Sequence, residues 1–264
     1  MFQIFAPEQV SGLPVWPVIV VVLGLVALNI INNRIAPTDH MLLWAIGGSL
    51  GFLAIGLLDG NSWTDMGLGW YHLLPGLLWA LGCVGLVTLV YVVAASLKAT
   101  RKAFQDERIS EMSAGKVVFQ ALVEVPFGTV LLEEIAFRAV LFSMLARRVG
   151  VVWAIIISSA IFGLWHILPS MGTNEQNAAL GAVAGEGRRG NIIAVALSVI
   201  TTTVAGALFA GLRLVSGSVL APMGLHWATN GLGYAFSWAI IRARKRRQQR
   251  ERDDHSADSD GAPR

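Results

Sequence analysis

The chain has 264 residues, 55% of them hydrophobic and 14% charged, and its mean hydropathy is +0.61. That is too apolar for a water-soluble globule, and the long unbroken apolar runs lack the alternation a membrane barrel needs, so an all-α polytopic membrane bundle is expected. The net charge of +3 is no nucleic-acid footprint, because the basic residues gather near the ends of apolar runs and in the tail.

The opening MFQIFAPEQV has no basic region, so the first apolar run reads as a retained helix rather than a cleaved signal peptide. Spans are expected at about 14–31, 41–58 and 73–97, with a polar, tryptophan-containing loop at 61–72. Tyr71 and Tyr91 suit headgroup level at the two ends of the third span. The lone Cys83 sits in an apolar run, where it packs as a small hydrophobe, and it permits no disulfide framework. Residues 98–116 carry Lys98, Arg101, Lys102 and Arg108 and read as a cytoplasmic connection.

A long fourth helix, about 117–148, holds Glu124, Pro126, Glu133, Glu134 and Arg138. Pro126 should kink it or relax its hydrogen bonds one turn upstream. A fifth span, about 151–168, should stop at Pro169, and a Gly- and Asn-rich loop follows at 170–191. The sixth and seventh spans fall at about 192–214 and 219–241. The tail, 242–264, opens with RARKRRQQRER, turns acidic, and reads as disordered, its basic part drawn to anionic lipids.

Seven spans put the N-terminus outside and the C-terminus in the cytoplasm, in the plasma (inner) membrane; an eighth, broken or re-entrant, segment stays open. Arg147, Arg148 and Arg213 fall on the wrong side for that topology. No internal repeat of the transporter kind is visible.

The chemistry concentrates in three spans. An ionised carboxylate at bilayer depth costs several kcal/mol or more, so intramembrane charges are functional by default. Glu134 and Arg138 are four apart on one helical face, acid first, as suits an ion pair. Glu133 is rotated by about 100° from Glu134 and is left for another role. The fifth span places Phe162 and His166 on one face, and the seventh does the same for His226 and Asn230. A glutamate and a histidine around a wet cavity can deprotonate water, and a second histidine with an amide can stabilise an oxyanion. Glu133, His166 and His226 are equally the donors a divalent metal such as zinc would use, so a metal stays open. Glu124, nine residues before Glu133, falls on roughly the opposite face and reads as an interface group; the run Thr201 to Thr203 reads as helix glue.

The ordered set Glu133-Glu134-x-x-x-Arg138, Phe162-x-x-x-His166 and His226-x-x-x-Asn230 resembles the CPBP intramembrane proteases. These include the type II CAAX prenyl endopeptidases and the bacterial Abi proteins. The resemblance covers about 116–238, and sets a catalytic membrane domain at 116–241 between the N-terminal helices of 1–115 and the tail of 242–264. It implies proteolysis of a membrane-associated peptide or protein. Glu133 and His166 would activate water, and His226 and Asn230 would stabilise the oxyanion. Glu134 and Arg138 would order the site or meet the substrate, and no metal is required. The alternatives are a catalytically silent immunity or scaffold protein that uses the cluster for packing, and, ranked last, an ion or metal relay.

Overall fold

The computed structural model describes residues 5–35, 40–98, 100–104, 106–176 and 178–260. Among these the regular structure is helical. The long helices are α1 (Trp16–Ile30), α2 (Met41–Leu58), α3 (Leu73–Ser96), α4 (the continuous run 114–149), α5 (Val151–Trp165), α6 (Gly187–Ser216) and α7 (Leu220–Asp260). Among the described residues four stretches are long and apolar enough to cross a membrane: Trp16–Ile35, Met41–Leu58, Trp70–Ser96 and Gly187–Ser216. α5 is a shorter apolar helix, while α4 and α7 are interrupted by charge. The protein is an all-α membrane bundle.

α4 is its centre. From Leu132 to Ala146 every residue is buried, and α1, α2, α5 and α6 pack around that stretch. A helix buried on all sides needs no polar face, and it lets charged groups sit at bilayer depth because protein, not lipid, surrounds them. Gly150, at φ +81°, turns the chain back from α4 into α5, a conformation that a Cβ would strain.

The three arginines on the unexpected side are tied down within the protein. Arg148 grips Asp59 through both terminal nitrogens, at 2.6 and 2.8 Å, and its Nε donates to the Pro14 carbonyl at 2.8 Å. Arg147 donates to the Asp59 carbonyl at 3.0 Å. Arg213 donates to the carbonyls of Asp65 at 2.6 Å and Phe5 at 3.1 Å. These charges cap chain ends and loops at one end of the bundle rather than acting as free loop cations.

α5 and α6 touch backbone to backbone. A Cβ on Gly163 would collide with the Thr203 side chain and lie 2.7 Å from the Val199 carbonyl. Thr201, Thr202 and Thr203 all donate to carbonyls of their own helix at 2.7–2.8 Å, so their hydroxyls are satisfied internally. Gly163→Leu is expected to push α5 off α6 and lower stability by about 1–3 kcal/mol through overpacking. Thermal unfolding in detergent measures this; an unchanged midpoint would show that the interface yields freely.

Three expectations need correction. α5 ends at Trp165, not near 168, and Ile167–Ser170 form a separate turn. The reason is Pro169, which has no N–H to continue the ladder to Trp165. Residues 242–260, read as disordered from their composition, continue α7 as helix to Asp260. Their residues are mostly good helix formers, and side chains four apart support one another, with Arg247 to Glu251 at 2.8 Å and Gln249 to Asp253 at 2.9 Å. The loop expected at 170–191 also holds two short helices, Thr173–Gln176 and Ala178–Ala184, and α6 begins at Gly187.

Candidate active site

The site begins with a change of helical register in α4. Gln120–Val130, around Pro126, and Glu134–Leu141 are π-helical, with N–H groups bonding five residues back. Pro126 cannot donate and crowds the preceding turn, which accounts for the first widening. The second contains Glu134 and Arg138, and such widenings recur at functional sites. Between them, Glu133 and Glu134 leave the helix in different directions: Glu133 toward α5, Glu134 toward α7.

Glu134 is fully buried. Its Oε1 accepts from Nδ1 of His226 at 2.8 Å, and its Oε2 lies 3.4 Å from Nε of Arg138. The second contact is an ion pair without hydrogen-bond geometry, so Oε2 and both terminal nitrogens of Arg138 have no hydrogen-bond partner among the described residues. Arg138 is only 2% exposed. Its guanidinium lies 3.9 Å from the Phe162 ring centre and 4.9 Å from that of Phe209, a sandwich that offsets part of the lost hydration.

Glu133 is bonded at one oxygen only. Trp165 donates its indole N–H to Oε1 at 3.0 Å, while Oε2 is buried with no hydrogen-bond partner among the described residues. Facing Oε2 are Nε2 of His226 at 3.8 Å and Nε2 of His166 at 4.0 Å. These are too long for direct hydrogen bonds.

Both imidazoles are oriented from behind. Nδ1 of His166 sits 2.8 Å from the Phe162 carbonyl, and Nδ1 of His226 sits 2.8 Å from the Glu134 carboxylate. Those partners can only accept, so each Nδ1 carries a proton and each Nε2 is directed at Glu133. The Phe162 carbonyl is open to this role because the helix end tightens there: the His166 backbone N–H bonds to Gly163, at 3.1 Å, instead of Phe162.

Five of the six residues singled out from the sequence therefore meet: Glu133, Glu134, Arg138, His166 and His226. Asn230 lies one turn beyond His226 on α7, exposed, and its side chain makes no hydrogen bond among the described residues. Phe162 packs its edge against the His166 ring at 4.7 Å between centroids. Glu124 pairs with Lys116 at 3.0 Å.

Sequence reading overlooked Trp165, Phe209 and Asn29. Phe209 stacks on the His226 ring at 5.2 Å. Asn29 of α1 donates to the Trp165 carbonyl at 2.6 Å. An apolar ring in an apolar helix gives no signal, but a buried Asn in a first span and a Trp beside a motif histidine could have been flagged.

Two imidazole nitrogens and a carboxylate oxygen are zinc-type donors, and both rings have the outer partners such ligands carry. Yet among the described residues no group of three His, Cys, Asp or Glu is assembled to hold a metal.

Residues 115–232 match the family model described as Type II CAAX prenyl endopeptidase Rce1-like. No curated protein and no solved structure matches the chain. The matched segment contains Glu133, Glu134, Arg138, His166, His226 and Asn230 together with the aromatic residues that pack on them. Residues 115–232 are thus an Rce1-like domain of the CPBP family.

Proposed function

We propose that this protein is an intramembrane endopeptidase that cuts a membrane-associated peptide with a water activated by Glu133 and His166. The observation that carries the reading is Oε2 of Glu133: buried, unpartnered, and 3.8 and 4.0 Å from two imidazole nitrogens. A water held among three such groups would sit within hydrogen-bond reach of each. Its proton passes to Oε2 as its oxygen attacks the scissile carbonyl carbon. The carbonyl π-electrons become the oxyanion, and collapse breaks the C–N bond as Glu133 returns the proton to the leaving amine.

His226 and Asn230 receive the oxyanion. Glu134, bonded to Nδ1 of His226, holds that ring with Nε2 toward the reacting atoms, as a carboxylate orients histidine in a triad. Asn230, exposed one turn further along the same helix, supplies the second donor. The unpartnered nitrogens of Arg138 form a planar fork suited to a peptide carbonyl or terminal carboxylate. The membrane is the plasma (inner) membrane, with the C-terminus cytoplasmic and the basic stretch 242–252 near anionic lipids.

The test is hydrolysis of a fluorophore-labelled peptide ending in a prenylated CAAX box, with protein and peptide in the same vesicles. Wild-type protein is expected to cut it, His166→Ala to lose roughly a hundredfold or more in rate, and a chelator to leave the rate unchanged. Folded wild-type protein that leaves both prenylated and unprenylated peptides intact would favour a silent packing role for the cluster.

A further inference from the structure

The base in this site has one oxygen committed and one free, and the commitment traces back to residues outside the family match. Pro169 has no N–H, so the Trp165 carbonyl loses the partner that a continuing helix would supply. Asn29 of α1 fills that place at 2.6 Å, and its own Oδ1 accepts from Asn33 of the next turn at 3.0 Å. The Trp165 indole then donates to Oε1 of Glu133 at 3.0 Å. Trp165 is also among the residues lining an apolar cavity of about 320 Å³ between α1 and α5, with Val22, Leu25 and Val26. The ring meets Phe137 edge-on at 5.8 Å between centroids, its indole N–H is held by Glu133, and Asn29 holds the backbone carbonyl of the same residue.

We propose that Trp165 is a positioning residue for the water-activating carboxylate, clamping Oε1 of Glu133 so that only Oε2 faces the histidines, and that Asn29 holds Trp165 in that pose. The proposal rests on the endopeptidase reading. Without the indole N–H, the carboxylate rotates about its terminal torsion, which is a broad and shallow one, and Oε2 spends less time in line with the two imidazoles. Positioning of this kind acts on the chemical step rather than on substrate binding. It also assigns α1, in the half of the chain outside the matched domain, a part in the reaction.

The experiment replaces Trp165 with benzothienylalanine, which keeps the bicyclic ring and lacks the N–H, and compares it with Trp165→Phe, Asn29→Leu and Glu133→Ala. All are assayed on the prenylated CAAX-box peptide in vesicles. The benzothienyl protein is expected to lose roughly 10- to 100-fold in kcat, the range for a charge-assisted hydrogen bond. KM should stay within about twofold, with an unfolding temperature near that of the wild type. Asn29→Leu should lose less, roughly three- to tenfold in kcat, with KM again unmoved. Full kcat in the benzothienyl protein overturns the proposal while Glu133→Ala, inactive in the same assay, leaves the endopeptidase reading standing. So does a loss that appears in KM or in unfolding temperature instead, because that marks a structural role. A wild-type protein without cleavage activity removes the reading and the proposal together.

Discussion

Glu133→Gln should abolish cleavage, by roughly a hundred- to ten-thousandfold, in a protein that remains folded. Glutamine keeps the carbonyl-type oxygen that accepts from Trp165 and keeps the volume, but it cannot take a proton from water. It is therefore a cleaner variant than Glu133→Ala, which also strands the Trp165 indole N–H, 3.0 Å from Oε1 in the wild type. An unsatisfied buried donor costs about 1–3 kcal/mol, so alanine should show a small stability loss besides the loss of activity. Initial rates on the vesicle-bound peptide, paired with thermal unfolding in detergent, separate the two effects. Full activity in Glu133→Gln would remove Glu133 as the base.

Glu134→Ala is expected to have the largest effect on stability. It removes the one carboxylate within 4.0 Å of Arg138 among the described residues, and the Nδ1 partner of His226, from a position with no exposure. Leaving a buried charge without its counter-ion costs about 3–5 kcal/mol. The Phe162 and Phe209 rings remain against the guanidinium, but they do not replace a full negative charge. Glu134→Leu combined with Arg138→Met removes both charges and should recover a large part of the loss, since a well-packed apolar pair is often as stable as a buried ion pair. Non-additivity in this double-mutant cycle measures the coupling. Equal stability of Glu134→Ala and the wild type would mean that the pair has no structural weight, and the whole cluster would then have to be assigned to substrate or water.

These two predictions divide adjacent glutamates by what surrounds them. Glu133 has an oxygen directed at two imidazole Nε2 atoms, and Glu134 has one oxygen bonded to His226 and the other 3.4 Å from the Arg138 guanidinium. Adjacent positions on a helix differ by about 100° in direction, so neighbours in sequence reach different helices. One becomes the reactive group and the other its support.

Much of this was legible from residues alone, because it depends on local rules. Apolar runs of membrane length predict α1, α2, α3 and α6. Pro126 signals the relaxed register of α4, and the four-residue spacing puts Arg138 beside Glu134. Charged and imidazole groups in otherwise apolar helices stand out by type and spacing. Composition served less well in the tail, where 242–260 were assigned disorder although side-chain pairs along α7 support a helix. Arg147, Arg148 and Arg213 confused the topology for a related reason. A sequence counts charges, and whether Asp59 or a set of loop carbonyls has already taken them up is decided across the fold.

By itself, then, the sequence determined the class of the protein, the order of its membrane helices and the chemical types gathered in its C-terminal half. Each of these follows from transfer free energy and helical periodicity, which act over a few neighbouring residues. Only the tertiary structure decided which of two adjacent carboxylates in the opening helix of the site turns an oxygen to both imidazole Nε2 atoms. That depends on an indole 32 positions away and on an asparagine 136 positions away from the tryptophan that carries it. Such contacts have no period and no spacing, because they are made by the packing of α1, α4 and α5 against one another.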